Sequence, residues 1–319
     1  MAMGIIHEHL WEVEQPFRQC HASTVVQLAP ERFLVAWFGG TAEGRDDVAI
    51  WSAIGGPGDW TPPRCVAKVR DDAHWNPVLF AAPGGTIYLF FKVGKTIPSW
   101  ETWWTETRDG GETWTPPVEL VAGDRGGRGP VKNKPIVLAD GSWLAGSSVE
   151  TDRAWNVFVD RSEDRGQSWS KSVPLSLDRT RCDGLGVIQP ALWESAPSQV
   201  HMLVRSTCRT ILRADSVDGG RTWSPLYPIP VPNNNSGLDV ARLPDGRLVL
   251  VCTPLPTRER TPLVLFVSND NGMAWSPRYH LESEPGEYSY PAIIATGDHT
   301  VTVTYTWRRQ RIAFWHGRV

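Results

Sequence analysis

The sequence contains no segment that would insert the chain into a membrane. Its 319 residues include no run that approaches the ~20 consecutive apolar residues of a transmembrane helix. Residues 1–10 lack the basic and then apolar stretches of a secretory signal. We therefore expect a protein that does not contact membranes and that resides in the cytoplasm.

An excess of charge of one sign is also missing. The chain has 32 Lys and Arg against 35 Asp and Glu, which gives a formal net charge of −3. Proteins that bind the backbone of nucleic acids carry a clear positive excess, so this class of function is excluded.

Cysteine is scarce, and the ligands of common cofactors are missing. The five cysteines form an odd set with no regular spacing, which favours reduced thiols over a disulfide framework. The two imidazoles of His7-x-His9 are too few for a metal site on their own. No glycine-rich phosphate loop precedes a helix. We expect neither a metal nor another cofactor.

Glycine, proline and tryptophan are abundant instead. The 29 Gly, 26 Pro and 17 Trp fit many short strands joined by tight turns. One turn sequence, Ser/Thr-x-Asp-x-Gly-x-x-Trp, occurs four times, at residues 107–114, 162–169, 216–223 and 268–275. In each copy we expect Asp to accept hydrogen bonds from nearby backbone N–H groups and Gly to adopt a positive φ. These Asp residues are therefore predicted to be structural.

The spacing of this turn predicts the architecture. Its tryptophans, Trp114, Trp169, Trp223 and Trp275, are 55, 54 and 52 residues apart, and Trp60 lies 54 residues before the first in a degraded copy. A period of about 50 residues is typical of a four-stranded propeller blade. The length of the chain then accommodates six blades.

Six short apolar runs, one in each repeat, support the same count. They are residues 23–26, 77–80, 135–138, 190–193, 239–243 and 291–294. Runs without polar alternation are typical of strands buried on both faces, and most of these precede a glycine-containing turn and a second strand. The sequence thus predicts an all-β, six-bladed β-propeller of four-stranded antiparallel blades, forming one domain over residues 1–319.

Polar clusters precede these inner strands and follow the second strands. In an antiparallel blade these two places lie at the same end of the sheet, so the clusters should surround one opening at the axis, here called the mouth. Arg and Lys outnumber carboxylates in the clusters. A concave site of this composition, on a chain of slightly negative charge, suggests a small anionic ligand such as a carboxylate-bearing sugar.

The repeated turns resemble the Asp boxes of the sialidase (neuraminidase) superfamily, whose members are six-bladed propellers. The resemblance covers nearly the whole chain. The three arginines that hold the substrate carboxylate in that family are matched by Arg18, Arg205 and Arg260. The tyrosine nucleophile is matched by Tyr288, and the acid by one residue of Glu43, Asp46 and Asp47.

One position departs from the sialidase pattern. Gln189, in Ile188-Gln189-Pro190, stands where the family has the Glu that takes the proton of the tyrosine. A neutral amide cannot accept that proton. Glu287 or Asp239 remain as alternative bases.

Four short sequence segments resemble more closely those of a sialidase-like subgroup of bacterial BNR-repeat proteins. They are His21-Ala22-Ser23-Thr24, Trp75-Asn76-Pro77, Lys132-Asn133-Lys134-Pro135 and Tyr288-Ser289-Tyr290-Pro291. Uronate-directed lyases and rhamnosidases on similar propellers employ His and Tyr, which makes His21 a further candidate.

The candidate residues fall into two groups. Those expected to be catalytic are Tyr288, Glu43, Asp46, Asp47 and His21. Those expected to bind substrate are Arg18, Asn76, Lys92, Lys132, Lys134, Gln189, Arg205, Asp239, Arg260, Tyr290 and Arg308.

The resemblance implies an exo-glycosidase that hydrolyses a terminal carboxylate-bearing sugar from a glycan. Tyr288 would attack or stabilise the anomeric carbon, and the acid would protonate the leaving oxygen. Two alternatives stay open: a uronate-directed lyase, in which His21 or Tyr288 removes the proton next to the carboxylate, and a non-catalytic glycan-binding propeller. In each case the expected partner is an acidic sugar or oligosaccharide.

Overall fold

The computed structural model describes residues 4–13, 15–182 and 184–319, and these residues form six antiparallel sheets. The first strands of most neighbouring sheets pack against each other, so the sheets stand as blades around one axis. This arrangement confirms the all-β, six-bladed propeller that the spacing of the turns predicts.

The chain begins with β1 (Ile6–His9), which belongs to the last blade. Blade one contains β2 (Gln19–Ala29), β3 (Arg32–Gly40), β4 (Ala49–Gly56), β5 (Asp59–Trp60) and β6 (Arg64–Ala67). Blade two contains β7 (His74–Ala81), β8 (Ile87–Val93), β9 (Glu101–Thr107) and β10 (Val118–Glu119). Blade three contains β11 (Ile136–Val137), β12 (Trp143–Glu150), β13 (Trp155–Ser162) and β14 (Ser170–Lys171). Both β5 and β6 pair with β4.

Blade four contains β15 (Val187–Ala196), β16 (Gln199–Ser206), β17 (Thr210–Ser216) and β18 (Tyr227–Pro232). Blade five contains β19 (Asp239–Arg242), β20 (Leu248–Cys252), β21 (Leu263–Ser268) and β22 (Ser276–Glu282). Blade six contains β23 (Tyr288–Gly297), β24 (Thr300–Trp307) and β25 (Arg311–Arg318). The strand β1 completes blade six by pairing with β25, with Ile6 opposite His316 and His9 opposite Ala313. The two ends of the described chain thus meet in one sheet, and this pairing closes the ring.

Helix is rare in the described part of the chain. Its helical segments are two three-residue 3₁₀ helices, Ile97–Ser99 and Arg179–Arg181. No helix among the described residues is long and apolar enough to cross a membrane.

The repeated turns share one hydrogen-bond pattern, illustrated by the turn after β17. The carboxylate of Asp218 accepts hydrogen bonds from the backbone N–H of Thr222 at 2.9 Å and from the hydroxyl of Ser216 at 2.7 Å. The indole N–H of Trp223 donates to the carbonyl oxygen of Gly220 at 3.0 Å, and Gly220 has a φ of 82°. The predicted conformations of Asp and Gly are confirmed. Each turn connects the third strand of its blade to the outer edge, away from the axis.

These turns also hold neighbouring blades together, because arginines of one blade donate to turn carbonyl oxygens of the next. The donor and acceptor pairs are Arg64 with Gly111, Arg161 with Gly219 and Arg213 with Asn271, at N–O distances of 3.0, 2.5 and 2.6 Å. Apolar side chains fill the space between blades, such as Leu144 of blade three and Val204 of blade four, both fully buried. Each such side chain stabilises the fold by about 1.5–3 kcal/mol.

The expectation that all cysteines are reduced is wrong for two of them. Cys182 and Cys208 form a disulfide, with 4.6 Å between their Cα atoms. The first lies in the loop before β15 and the second in the turn after β16, and the antiparallel pairing of these strands brings the two segments together. The free thiols are Cys20 and Cys252, which are buried, and Cys65, which is exposed.

Candidate functional site

Bulges in the inner strands aim side chains into the mouth. Ala22, Asn76, Gln189 and Tyr290 occupy the same place in their blades and have φ values of 57°, 43°, 59° and 54°. Each lies where the pairing of the first and second strands shifts register. A bulge of this kind turns a strand residue away from the face that alternation would give it. Side chains from different blades therefore meet at the axis.

Tyr290 lies at the centre of this meeting point. Its hydroxyl oxygen accepts hydrogen bonds from Gln189 Nε2 and from Arg205 Nη1, both at 3.1 Å. Arg205 also donates to Gln189 Oε1 at 3.0 Å and, through Nε, to Asn235 Oδ1 at 3.2 Å. These contacts fix the phenol oxygen of blade six beside a guanidinium of blade four.

The imidazole of His21 packs against the Tyr290 ring. The two ring centroids are 4.2 Å apart, and His21 Nδ1 is hydrogen-bonded to Thr306 Oγ1 at 2.8 Å. Burial lowers the pKa of His21 well below its ordinary value, and the positive charges of Arg309, Arg260 and others lower it further. The ring is therefore a neutral imidazole at physiological pH.

Three guanidiniums converge on this pair of rings. Arg205 comes from β16, Arg260 precedes β21, and Arg309 lies in the turn between β24 and β25. Burial is the main cause that lowers the pKa of Arg260, and the charges of Arg205 and Arg309 also lower it. Like charges are held close together here, at a cost that a bound anion would remove.

Carboxylates neutralise only part of this positive charge. Glu287 Oε1 accepts from Arg309 Nε at 2.8 Å and lies 3.7 Å from Arg260 Nη1. Glu43 accepts from Arg309 Nη1 at 2.5 Å. The buried Nη1 of Arg260 has no hydrogen-bond acceptor among the described residues. A buried donor without a hydrogen-bond acceptor, beside two further guanidiniums, is the position that an anionic group of a ligand would fill.

Lys132 lies beneath the mouth and is committed to the scaffold. Its ammonium donates to Asn133 Oδ1 at 2.8 Å, to the carbonyl oxygen of Leu238 at 2.9 Å and to that of Pro291. Burial lowers its pKa to about 7. The lysine therefore ties the inner strands of blades three, five and six together at the axis.

Two further predicted substrate ligands form an ion pair within the scaffold. Lys134 Nζ donates to Asp239 Oδ2 at 2.9 Å, and the same oxygen accepts from the backbone N–H of Ile293 at 2.9 Å. Asp239 is thus occupied and is not placed to act as a base for a tyrosine. This pair joins the inner strands of blades three, five and six.

Lys92 and Asn76 also bond to the protein itself. The fully buried ammonium of Lys92 donates to Thr102 Oγ1 and to the carbonyl oxygen of Arg128, each at 2.6 Å. Burial lowers the pKa of Lys92 to about 7. Asn76 Nδ2 donates to the carbonyl oxygen of Val131 at 3.0 Å. Both side chains support the wall of the mouth from blade two.

Tyr288 and Arg308 lie outside the cluster of arginines. Tyr288 is 1% exposed and packs in the apolar core that blades five and six share. Its hydroxyl accepts from Arg308 Nη2 at 3.1 Å, and the guanidinium of Arg308 lies 4.7 Å from the centroid of the Trp307 ring. The tyrosine beside the arginines is Tyr290, two residues further along β23.

Arg18 is also outside the cluster. It is exposed and lines a separate cavity of about 720 Å³ together with Trp11 and Arg311. The third guanidinium of the mouth is that of Arg309. The sequence places Arg308 and Arg309 at the end of a second strand, but it does not indicate which of the two enters the mouth.

The three candidate acids lie on the loop after β3. Glu43 reaches Arg309, as described above. Asp47 Oδ2 accepts from the backbone N–H of Thr41 at 2.7 Å; although burial raises the pKa of Asp47, these hydrogen bonds hold it below the ordinary value. Asp46 is exposed, and its carbonyl oxygen accepts from Lys68. Asp47 therefore holds the loop, and Glu43 is the acid next to the mouth.

No group of three or more His, Cys, Asp or Glu side chains in the described ranges is arranged to hold a metal ion. The chemistry available in the mouth is that of a phenol, a neutral imidazole, an amide, carboxylates and guanidiniums.

The comparisons with known proteins agree with this architecture. Residues 31–303 match the family described as BNR repeat-like domain. No curated protein is similar enough to the chain to count as a relative. The Hadza microbial sialidase Hz136 matches with a TM-score of 0.78 and 15% identity, over 94% of this chain and 66% of that one.

Two other solved structures are similarly close in fold. The Trypanosoma rangeli sialidase in complex with the inhibitor DANA has a TM-score of 0.77 and 13% identity, over 99% of this chain and 60% of that one. A protein of unknown function from Dyadobacter fermentans has a TM-score of 0.78 and 16% identity, over 100% of this chain and 99% of that one. At such identities the likeness shows the fold alone, and this chain spans only about 60 to 66% of the two sialidases. Because the family match covers most of its length, the chain belongs to the BNR repeat-like domain family, and its propeller is sialidase-like.

Proposed function

We propose that the protein is an exo-glycosidase that cleaves a terminal carboxylate-bearing sugar from a glycan. The observation that carries this proposal is the meeting of Arg205, Arg260 and Arg309 beside the Tyr290 hydroxyl and the His21 ring. The solved sialidases with the same fold support a sugar as the ligand class.

The three guanidiniums would hold the carboxylate of the substrate. Arg260 Nη1 lacks an acceptor in the described part of the chain, so a carboxylate oxygen placed there satisfies a buried donor. A hydrogen bond to a charged group stabilises a complex by about 1.5–3 kcal/mol. Two or three such bonds would orient the sugar ring with its anomeric carbon towards the axis.

Tyr290 would act on the anomeric carbon. Its oxygen attacks that carbon while the bond to the leaving oxygen breaks, and its phenol proton passes to the neutral imidazole of His21. The substrate carboxylate would displace Glu43 from Arg309 at the rim of the mouth, and Glu43, then protonated from solvent, would give that proton to the leaving oxygen. Water then cleaves the bond between Tyr290 and the sugar and releases the free acidic sugar. In this scheme His21 performs the proton transfer that the amide of Gln189 cannot.

The test uses glycosides of sialic acid and of glucuronic acid in water enriched in oxygen-18. Hydrolysis predicts a reducing acidic sugar that carries one labelled oxygen at its anomeric carbon. If the glycosides bind in the mouth but are all recovered unchanged, the enzymatic proposal is contradicted and a glycan-binding propeller is favoured.

A second candidate is β-elimination on a uronate, and the contact between His21 and Tyr290 favours it. A neutral imidazole would remove the proton next to the carboxylate, and the guanidiniums would stabilise the negative charge that develops there. Tyr290 would donate its proton to the leaving oxygen as the carbon–oxygen bond breaks. The product would be an unsaturated uronate that absorbs in the ultraviolet and contains no labelled oxygen, so one experiment separates the two reactions.

A further inference from the structure

Among the described residues, the side chain of Arg205 has no counter-ion. The residue is only 7% exposed, so its charge is largely removed from water. Its guanidinium donates to Gln189 Oε1 at 3.0 Å, to the Tyr290 hydroxyl at 3.1 Å and to Asn235 Oδ1 at 3.2 Å. Each of these acceptors is neutral, whereas buried charges in proteins are usually paired with an opposite charge. Arg205 is therefore held in position without being neutralised.

The other two guanidiniums of the mouth lie beside carboxylates. Arg309 donates to Glu287 Oε1 at 2.8 Å and to Glu43. Arg260 Nη1 lies 3.7 Å from the same oxygen of Glu287. These acids offset part of the charge of both arginines. Arg205 differs from them because only neutral groups of the described chain bind it.

The charge of Arg205 acts on the groups around it. Burial is the main cause that lowers the pKa of Lys132 and of Arg260, and the charge of Arg205 lowers both further. Burial raises the pKa of the nearby Glu150, and the charge of Arg205 opposes that rise without reversing it. No ion pair joins Glu150 to Arg205 in the part of the chain that the structure describes. An anion bound to Arg205 would therefore relieve repulsion among buried cations.

The amide of Gln189 joins Arg205 to Tyr290. Gln189 is 2% exposed; its Oε1 faces the guanidinium, and its Nε2 donates to the Tyr290 hydroxyl at 3.1 Å. A flipped amide would set its N–H donors against those of Arg205, so this contact fixes the orientation of the amide. Glutamate has nearly the same shape, and its carboxylate would form an ion pair with Arg205 at this position. The neutral oxygen of Gln189 therefore leaves the charge of Arg205 available.

From these contacts we infer that Gln189 sets the charge selectivity of the mouth. It holds Arg205 with a neutral amide and so reserves that guanidinium for the carboxylate of the ligand. This inference rests on the proposed function of the mouth. A carboxylate at position 189 would occupy Arg205 from within the protein, and the mouth would then lose its preference for acidic over neutral sugars.

Binding and stability should respond to Gln189→Glu in opposite directions. The new carboxylate would pair with a buried guanidinium that has only neutral partners among the described residues, and the guanidinium would keep it ionised. The melting temperature should therefore rise by roughly 2 °C or more. A glutamine that only supports the fold predicts the reverse, because its replacement would lower the melting temperature.

The test measures equilibrium binding of matched sugars by calorimetry, with the full chain. The pairs are glucuronate with glucuronamide, and sialic acid with its methyl ester, so that each pair differs in the charge of one group. In the wild type we expect at least one acid to bind roughly 10- to 100-fold tighter than its neutral partner, because charge-assisted hydrogen bonds form. In Gln189→Glu the two members of that pair should bind about equally.

Two further variants separate the charge on Arg205 from other effects. Asn235→Asp places a carboxylate on Nε of Arg205 and leaves the contact between Gln189 and Tyr290 in place, so it should also reduce the preference for the acid. Asp tolerates the positive φ of 60° at this position. Gln310→Glu adds the same charge in the exposed turn next to Arg309 and should preserve the preference.

The outcomes distinguish this inference from the proposed function. A wild-type preference that survives Gln189→Glu or Asn235→Asp overturns the inference alone. An equal loss in Gln310→Glu, or a loss in Gln189→Glu accompanied by a lower melting temperature, overturns it as well. If neither acid binds the wild type better than its neutral partner, the proposed function fails, and the inference fails with it.

Discussion

The outer turns and the mouth of the propeller are stabilised over very different distances along the chain. In an outer turn, Asp109 bonds to residues up to four positions away, such as Thr107 and Thr113. In the mouth, Tyr290 bonds to Gln189, 101 residues away, and to Arg205, 85 residues away. The frame of the propeller, meaning its blades and outer turns, is therefore specified by local sequence that repeats along the chain. The side chains of the mouth come together only in the closed ring.

This difference implies that mutations in the two regions have separable effects. A side chain in an outer turn contributes to the stability of its blade and of the next one, and it does not contact a ligand in the mouth. A side chain in the mouth contributes to binding or turnover. The stability of the frame offsets the repulsion between the like charges that the mouth brings together.

The largest effect, a fall in kcat, is expected for one of the two tyrosines of β23 and not for the other. Tyr290→Phe removes the hydroxyl that we place at the anomeric carbon, so kcat should fall by roughly 10²–10⁴-fold, the size of a lost proton-transfer or nucleophilic group. Its melting temperature should stay near that of the wild type. The measurement is steady-state kinetics on the glycoside that the protein cleaves.

Tyr288→Phe is the matched control. It removes the same atom from the core, where the hydroxyl accepts from Arg308. We expect kcat to be retained and the free energy of unfolding to fall by about 0.5–1.5 kcal/mol. If Tyr288→Phe abolished turnover and Tyr290→Phe did not, the sequence-based assignment of Tyr288 would be restored and our site would be wrong.

The next largest effect, a rise in KM, is expected for one of two neighbouring arginines and not for the other. Arg309→Met removes a guanidinium from the mouth and should raise KM roughly 10- to 100-fold, because a hydrogen bond to a charged group is worth about 1.5–3 kcal/mol. Arg308→Met removes the guanidinium that stacks on Trp307 and should leave KM unchanged. Equal KM values in both variants would place the substrate carboxylate elsewhere.

A smaller effect is expected in an outer turn. Asp218→Ala deletes the acceptor for Thr222 and Ser216, and the free energy of unfolding should fall by about 0.5–2 kcal/mol, as when a capping acceptor is lost. Turnover should not change. Urea denaturation measures the stability, with Asp298→Ala, in the exposed turn between β23 and β24, as the control. A loss of turnover in Asp218→Ala without a loss of stability would contradict the separation of frame and site.

The smallest effect concerns pH. Although burial raises the pKa of Asp218, hydrogen bonds from Thr222 and Ser216 hold it at about 2. A carboxyl whose pKa is lower in the folded than in the unfolded state stabilises the fold above the unfolded value, and this contribution is lost as the pH falls through the folded value. Stability should therefore decline between about pH 4 and pH 2, and Asp218→Asn should decline less steeply. Identical slopes in the two proteins would argue against this contribution.

The frame could be predicted from the sequence because its signals are local. An Asp, a Gly and a Trp at fixed spacing specify each outer turn, and six apolar runs specify the inner strands. The polar groups at the start of those runs predict a single mouth, and Gln189, Arg205, Arg260 and His21 are indeed found together there.

The individual side chains of the mouth could not all be predicted, because bulges break the alternation of strands. Tyr288 and Tyr290 would face the same side of a regular strand. The positive φ of Tyr290 and the register shift after Ser289 send the two rings to different places. Similarly, only the conformation of the turn after β24 separates Arg309, in the mouth, from Arg308, on Trp307.

The disulfide was missed for a related reason. Cys182 and Cys208 are 26 residues apart, and no regular spacing of cysteines marks them as a pair. They meet because β15 and β16 are antiparallel and the loops at their ends lie side by side. Such a contact depends on tertiary structure, as the mouth itself does.

The most direct test of the account is the crystal structure of the protein with an acidic sugar bound. We expect the carboxylate to lie within hydrogen-bond distance of Arg205, Arg260 and Arg309, with the anomeric or adjacent ring carbon facing the Tyr290 hydroxyl. A sugar bound with its carboxylate away from these guanidiniums, at the other end of the axis or beside Arg18, would contradict it.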